Sequence, residues 1–98
     1  MRRIMVIQAV LYTFAPEDAD KVNAILLELR DASRQEDGVD VFDVVRSTEK
    51  PNEFGLWEIY RDHAAVEAHQ ATEHFKRLVV GGLRALAKQR TAVTGTSI

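Results

Sequence analysis

Glu58, Tyr60, His69 and His74 bring a carboxylate, a phenol and two imidazoles into one short stretch of the chain, from Phe54 to Phe75. These groups move protons: an imidazole gives or takes one near neutral pH, and a carboxylate does so when burial raises its pKa. Glu58 falls between Leu56 and Tyr60 on one face of an expected strand. It is either buried with a raised pKa or paired with an arginine or backbone donor. Tyr60 either donates to a substrate oxygen or is a core residue with its hydroxyl at the edge. His69 continues the stripe begun by Ala65 and Val66 and points inward, as a pocket residue or a satisfied core histidine. On an unbroken helix His74 would stand roughly 140° away from it. The two rings converge only if the helix breaks near Thr72; otherwise His74 covers that joint. His63, beside Asp62 in a first helical turn, reads as a surface residue.

Other chemistries find no pattern. Two histidines five apart, with Glu58 or Glu73 nearby, do not match the i, i+4 spacing of zincins, so no metal site is expected. Zero cysteines exclude disulfides and thiolate chemistry. Ser33, Ser47 and Ser97 are not in a nucleophile elbow, and Gly81-Gly82 lacks the rest of a phosphate loop and reads as a packing contact or kink.

The elements that must position these groups follow from periodicity. Ile4 to Phe14, rich in β-branched and aromatic residues, predicts a first strand with Gln8 as its polar interruption. Pro16-Glu17-Asp18 opens a helix whose stripe is Val22, Ile25, Leu26, Leu29 and Ala32, running to about Gln35 and ending before Gly38. Val39 to Ser47 predicts strand two, with Val39, Val41, Asp43 and Val45 on one face and Asp40, Phe42, Val44 and Arg46 on the other. After the turn Glu49-Lys50-Pro51-Asn52 comes strand three, Glu53 to Tyr60. Asp62 fits an N-cap, Thr72 could cap a second helical segment, and Thr91 to Thr96 forms a last strand. The order β, α, β, β, α, β is that of an α+β, ferredoxin-like split βαβ sandwich, one domain over residues 1–98. In strand three Gly55, Trp57 and Ile59 make the second face apolar too. Two apolar faces need two covers, the helices on one side and the sheet of an identical chain on the other.

The 98 residues, 46% of them hydrophobic, suffice for one modest core that a partner subunit would help to complete. A net charge of −2 with scattered Lys and Arg gives no field for nucleic acid. No apolar run approaches the roughly 18 residues of a membrane span. Met1-Arg2-Arg3 precedes a short apolar segment without a cleavage site, so a cytoplasmic location is expected.

The series Phe54, Leu56, Glu58, Tyr60, Asp62, Ala65, His69, Thr72, His74 and Phe75, extended by Gly38 and Asp43, resembles the signature of the antibiotic biosynthesis monooxygenase family. The resemblance covers nearly the whole chain and implies a dimeric α/β barrel of two ferredoxin-like subunits. It also implies one of several chemistries: cofactor-independent oxidation of quinols or polyketide anthrones by O₂, haem degradation, or isomerisation of a phosphorylated hydroxy-ketone of the autoinducer-2 type. Haem degradation fits least, since Tyr60 replaces that branch's tryptophan and Val79 falls near its axial histidine. For a phosphorylated substrate the cationic candidates are Arg46, Lys76, Arg77 and Arg84. The expected reaction is cofactor-free oxygenation of a small phenolic or quinol-like molecule. His69 would be the base, His74 its alternate, Tyr60 the orienting donor and Glu58 the residue behind it, while Trp57 serves packing. Gln8, Leu56, Phe75 and Arg46 are expected to contact the substrate.

Overall fold

A computed structural model describes residues 4–98; Met1-Arg2-Arg3, the expected charged lead-in to strand one, lie outside the described residues. Strands β1 (Val6–Thr13), β2 (Val39–Arg46), β3 (Glu53–Tyr60) and β4 (Gln89–Thr96) form one antiparallel sheet in the order β2-β3-β1-β4. Helices α1 (Ala19–Ser33) and α2 (His63–Gln70), a π-helix (Phe75–Leu83) and a short α3 (Arg84–Leu86) complete the ferredoxin-like split βαβ arrangement. No helix of the described residues is long and apolar enough to cross a membrane.

Alternation along the strands sets the inner face. Val6, Val10 and Tyr12 of β1 and Phe54, Leu56, Glu58 and Tyr60 of β3 are buried under the helices. Val22, Leu26 and Leu29 of α1 and Leu78, Val79 and Leu83 of the π-helix close the core from above. Register then aligns one rung across all four strands, because Phe42 pairs with Glu58, Glu58 with Gln8, and Gln8 with Thr94. The outer face carries Leu11, Val45, Trp57 and Val93, all large and exposed.

Two local features depart from the periodicity. β2 pairs Val39 with Tyr60 but Val41 with Ile59, so Asp40 sits in a bulge. The extra residue turns Val39 inward against Tyr60 and Ala65, away from the face of Val41 on which simple alternation places it. The segment after Thr72 winds as a π-helix, whose wider turn gives Arg84 N–H a bond to Val79 O five residues back. β1, α1 and β2 are each a little shorter than predicted and β4 slightly longer. β3 has the predicted ends.

The turn between α1 and β2 is fastened at several points. Glu36 N–H donates to Ser33 O at 3.0 Å, Val39 N–H to Glu36 O at 3.2 Å and Arg61 N–H to Gly38 O at 2.9 Å. Gly38 lies so close to α2 that a Cβ on it would stand 2.4 Å from Ala65 Cβ. A side chain there must displace the turn or the helix. Gly38→Ala should therefore cost about 1–3 kcal/mol in urea denaturation, the usual range for overpacking. Adding Ala65→Gly should recover part of that loss; two costs that simply add would refute the contact as its cause.

Candidate active site

Asp62 starts α2 by accepting a bond from Ala65 N–H at 2.9 Å, which fixes the helix phase and turns His69 inward. Thr72 then makes the break. Its hydroxyl donates to His69 O at 2.7 Å and accepts from Phe75 N–H at 3.1 Å, joining the end of α2 to the start of the π-helix. The chain turns at this joint, and His74 comes to lie beside His69 with ring centroids 6.1 Å apart. The conditional convergence read from spacing is the arrangement found.

Between the two rings stands Glu36. Its Oε2 lies 2.8 Å from His69 Nδ1 and 2.7 Å from His74 Nε2. A carboxylate only accepts, so each imidazole presents an N–H to it, and the nitrogen of His69 left free is Nε2. Burial lowers the His69 pKa, with the Glu36 hydrogen bond and charge opposing and His74 adding to the fall. A neutral ring with Nδ1–H held on a carboxylate and Nε2 unoccupied is a prepared base.

His69 also lines a cavity of about 30 Å³, room for roughly one water, whose wall does not include Glu36. Gln8, Leu56, Glu58, Phe75, Arg84 and Arg90 line it together with His69. Glu58 is buried, and burial pushes its carboxyl up to about 7 against the hydrogen bond from Tyr60 and the charge of Arg90. Tyr60 OH donates to Glu58 Oε1, and burial with that neighbouring carboxylate drives the phenol pKa upward. The expected order of this pair is reversed: Glu58 meets the cavity and Tyr60 stands behind it. The reason is cover, since Val6, Val39 and Ala65 seal the Tyr60 ring at the strand end and leave its hydroxyl only the neighbour two residues back.

Of the other expected contacts, Gln8, Leu56 and Phe75 reach the cavity. Arg46 does not. It bonds Pro51 O at 2.7 Å and Asp20 Oδ1 at 3.2 Å and lies over the Phe54 ring, in another part of the inner face. Arg77 is likewise taken, by Glu28 and Glu73. Glu36 was outside the sequence expectations, and so was Arg90, which sits over Tyr12 at the start of β4. The expectation of no metal site rested on the absence of a zincin spacing and of cysteines, and left only a site assembled in space. With the helix broken and Glu36 brought in from a distant turn, three donor atoms gather within 4.8 Å of one another.

Glu58 and His69 affect stability with opposite signs. Because folding raises the Glu58 pKa, the contribution of its neutral form is complete below about pH 4.5 and is lost as pH rises through about 7. The loss is on the order of 3 kcal/mol. His69, lowered, contributes above its ordinary 6.5 and loses that contribution as pH falls. Glu58→Gln, neutral at every pH, should gain stability relative to the parent between pH 4.5 and 8 in urea denaturation. A difference independent of pH would contradict a buried, upward-shifted carboxyl.

Among curated proteins none matches the chain. Solved structures do. One described as an antibiotic biosynthesis monooxygenase is 31% identical, with a TM-score of 0.86, covering 95% of this chain and 98% of its own. A candidate antibiotic biosynthesis monooxygenase from Bacteroides thetaiotaomicron is 32% identical with a TM-score of 0.86, covering 96% and 90%. The protein PA3566 from Pseudomonas aeruginosa is 31% identical with a TM-score of 0.85, covering 100% and 97%. Residues 5–80 match the family described as antibiotic biosynthesis monooxygenase, and the chain belongs to that family.

Proposed function

We propose that the protein is a cofactor-independent monooxygenase acting on a small phenolic, quinol or polyketide-type substrate with O₂. The observation that carries this reading is the Glu36–His69 contact, which leaves Nε2 as the free nitrogen of a histidine that lines the same cavity as Glu58. Such a ring removes a proton from an activated methylene beside a phenolic ring. The carbanion passes one electron to O₂, and the resulting radical and superoxide join in a C–O bond. Protonation of that peroxide, and loss of water with the second methylene hydrogen, leave a carbonyl. One O₂ is consumed and one water released. Glu58, protonated around neutral pH, supplies the proton to the peroxide, and Gln8 offers an amide to the oxygen of the substrate anion.

The cavity is smaller than an aromatic ring, so a phenolic substrate enters only if lining side chains such as Phe75, Arg84 or Arg90 give way. Arg84 and Arg90 stack on the Phe75 and Tyr12 rings, and neither forms a salt bridge among the described residues. These two cations favour an acidic substrate and support a second reading, isomerisation of a phosphorylated hydroxy-ketone by the same base. Binding of a small ligand without turnover is the third.

The exposed outer face supports a homodimer. A second copy placed against Leu11, Val45, Trp57 and Val93 would remove this apolar surface from water and complete a two-sheet barrel. Light scattering at micromolar concentration should give twice the chain mass, and Trp57→Asp should shift it to monomer. A monomeric parent protein would end the dimer reading.

Purified, metal-free protein should consume O₂ with hydroquinones or anthrones, and His69→Ala should lower the rate by about 10²–10⁴-fold. No uptake above autoxidation across such a panel would overturn the oxygenase. Deuterium from solvent entering a hydroxy-ketone without O₂ consumption would favour the isomerase, and unchanged rates in His69→Ala would leave binding alone.

A further inference from the structure

We propose that Glu36, His69 and His74 form a binding site for one first-row divalent cation of the zinc type. The three donors come from three separate elements: the turn after α1, the last turn of α2 and the residue that opens the π-helix. His69 Nδ1, His74 Nε2 and a Glu36 oxygen lie within 4.8 Å of one another. Two imidazoles and one carboxylate suit zinc, cobalt or iron, whereas calcium and magnesium prefer all-oxygen sets. The side chains are 4%, 19% and 15% exposed for His69, His74 and Glu36, so the set is mostly enclosed yet open to solvent on the His74 and Glu36 side. A fourth position for water is therefore available.

The donors are gathered but not yet at bonding distance from a single point. Metal–donor bonds of about 2.0–2.1 Å around a tetrahedral ion put neighbouring donors about 3.3 Å apart. Glu36 Oε2 now lies 2.7–2.8 Å from both ring nitrogens, so its carboxylate has to withdraw by roughly half an ångström, and the two ring nitrogens, which lie within 4.8 Å of each other, have to close to about 3.3 Å. Glu36 sits in a turn and its side chain can rotate without breaking the backbone bonds of Ser33 and Val39. His69 is packed against Phe42, Tyr60 and Phe75, so the closing movement falls to the more exposed His74 ring together with the Glu36 carboxylate.

The ion would bind His69 through Nδ1, the nitrogen that faces Glu36. Its consequence is a change of tautomer. Nδ1 of His69 must give up its proton to bind a cation, and in a neutral ring that proton moves to Nε2. Loading would replace the Nε2 lone pair of His69 by an N–H. Such an ion would occupy the base and its carboxylate partner and so oppose the proton abstraction proposed for metal-free protein, and its binding can be measured without any substrate.

The test uses the full chain, free of tags and stripped with EDTA. Equilibrium dialysis should give one Zn²⁺ per chain, weakened at least about tenfold in Glu36→Gln and in His74→Ala and unchanged in His63→Ala, an exposed histidine outside the cluster. In ¹⁵N spectra of the unsubstituted protein, Zn²⁺ should shift the bound nitrogens of His69 and His74 and move the His69 proton to Nε2. Absence of stoichiometric uptake overturns the site, as does uptake unaffected by both cluster substitutions. Should those variants unfold by circular dichroism, unchanged His69 and His74 signals in the parent protein on zinc addition overturn it equally. Either failure leaves the oxygenase reading untouched, because O₂ uptake is measured on metal-free protein.

Discussion

One carboxylate oxygen shared by two imidazoles is the constraint on which the site depends. Glu36 ties the turn after α1 to the end of α2 and to the beginning of the π-helix, three elements with no common backbone ladder. Its electrostatic role follows from that position. A negative charge at Nδ1 favours a protonated His69, while burial favours the neutral ring; burial prevails and the ring stays a base. Without the carboxylate the ring would have no fixed tautomer, and with a more solvent-exposed ring the carboxylate would stabilise the imidazolium instead.

The same opposition of burial and partner recurs at Glu58. Tyr60 donates to its carboxyl and Arg90 contributes favourable charge, yet desolvation dominates. Two titratable groups on one cavity are thus shifted in opposite directions, an acid raised and an imidazole lowered, so that burial favours the uncharged form of both. The phenol of Tyr60 is consumed in this arrangement, which is why it is a positioning group and the cavity wall is formed by the carboxyl.

Legibility in the sequence followed the range of the interaction. Strand alternation located Glu58, Leu56 and Tyr60 on the inner face, and the apolar stripe pointed His69 inward, because both depend only on neighbours within a few residues. The break at Thr72 was readable as a condition, since a hydroxyl before a new apolar stripe is a capping signal. Glu36 was not readable: it lies in the polar run Gln35-Glu36-Asp37-Gly38, which has no period, and its partners are 33 and 38 residues away. The face of Val39 was missed because a single bulged residue at Asp40 shifts parity without a glycine or proline to mark it. The π-helix left only the ambiguous Gly81-Gly82 as a trace.

The rung formed by Phe42, Glu58, Gln8 and Thr94 has a consequence for how such a site can be inherited. Its members come from four distant parts of the chain but are located by one quantity, the hydrogen-bond register. A slip of one residue in β3 would exchange Glu58 for Trp57 or Ile59, and a slip in β1 would exchange Gln8 for Ile7 or Ala9. The acid or the amide would then face outward although no residue had been substituted. Conversely, neighbouring rungs can diverge freely as long as they keep their volume and polarity, because they hold the register without entering the chemistry. What passes between descendants of such a fold is an alignment of strands, and the side chains that face the cavity travel with it.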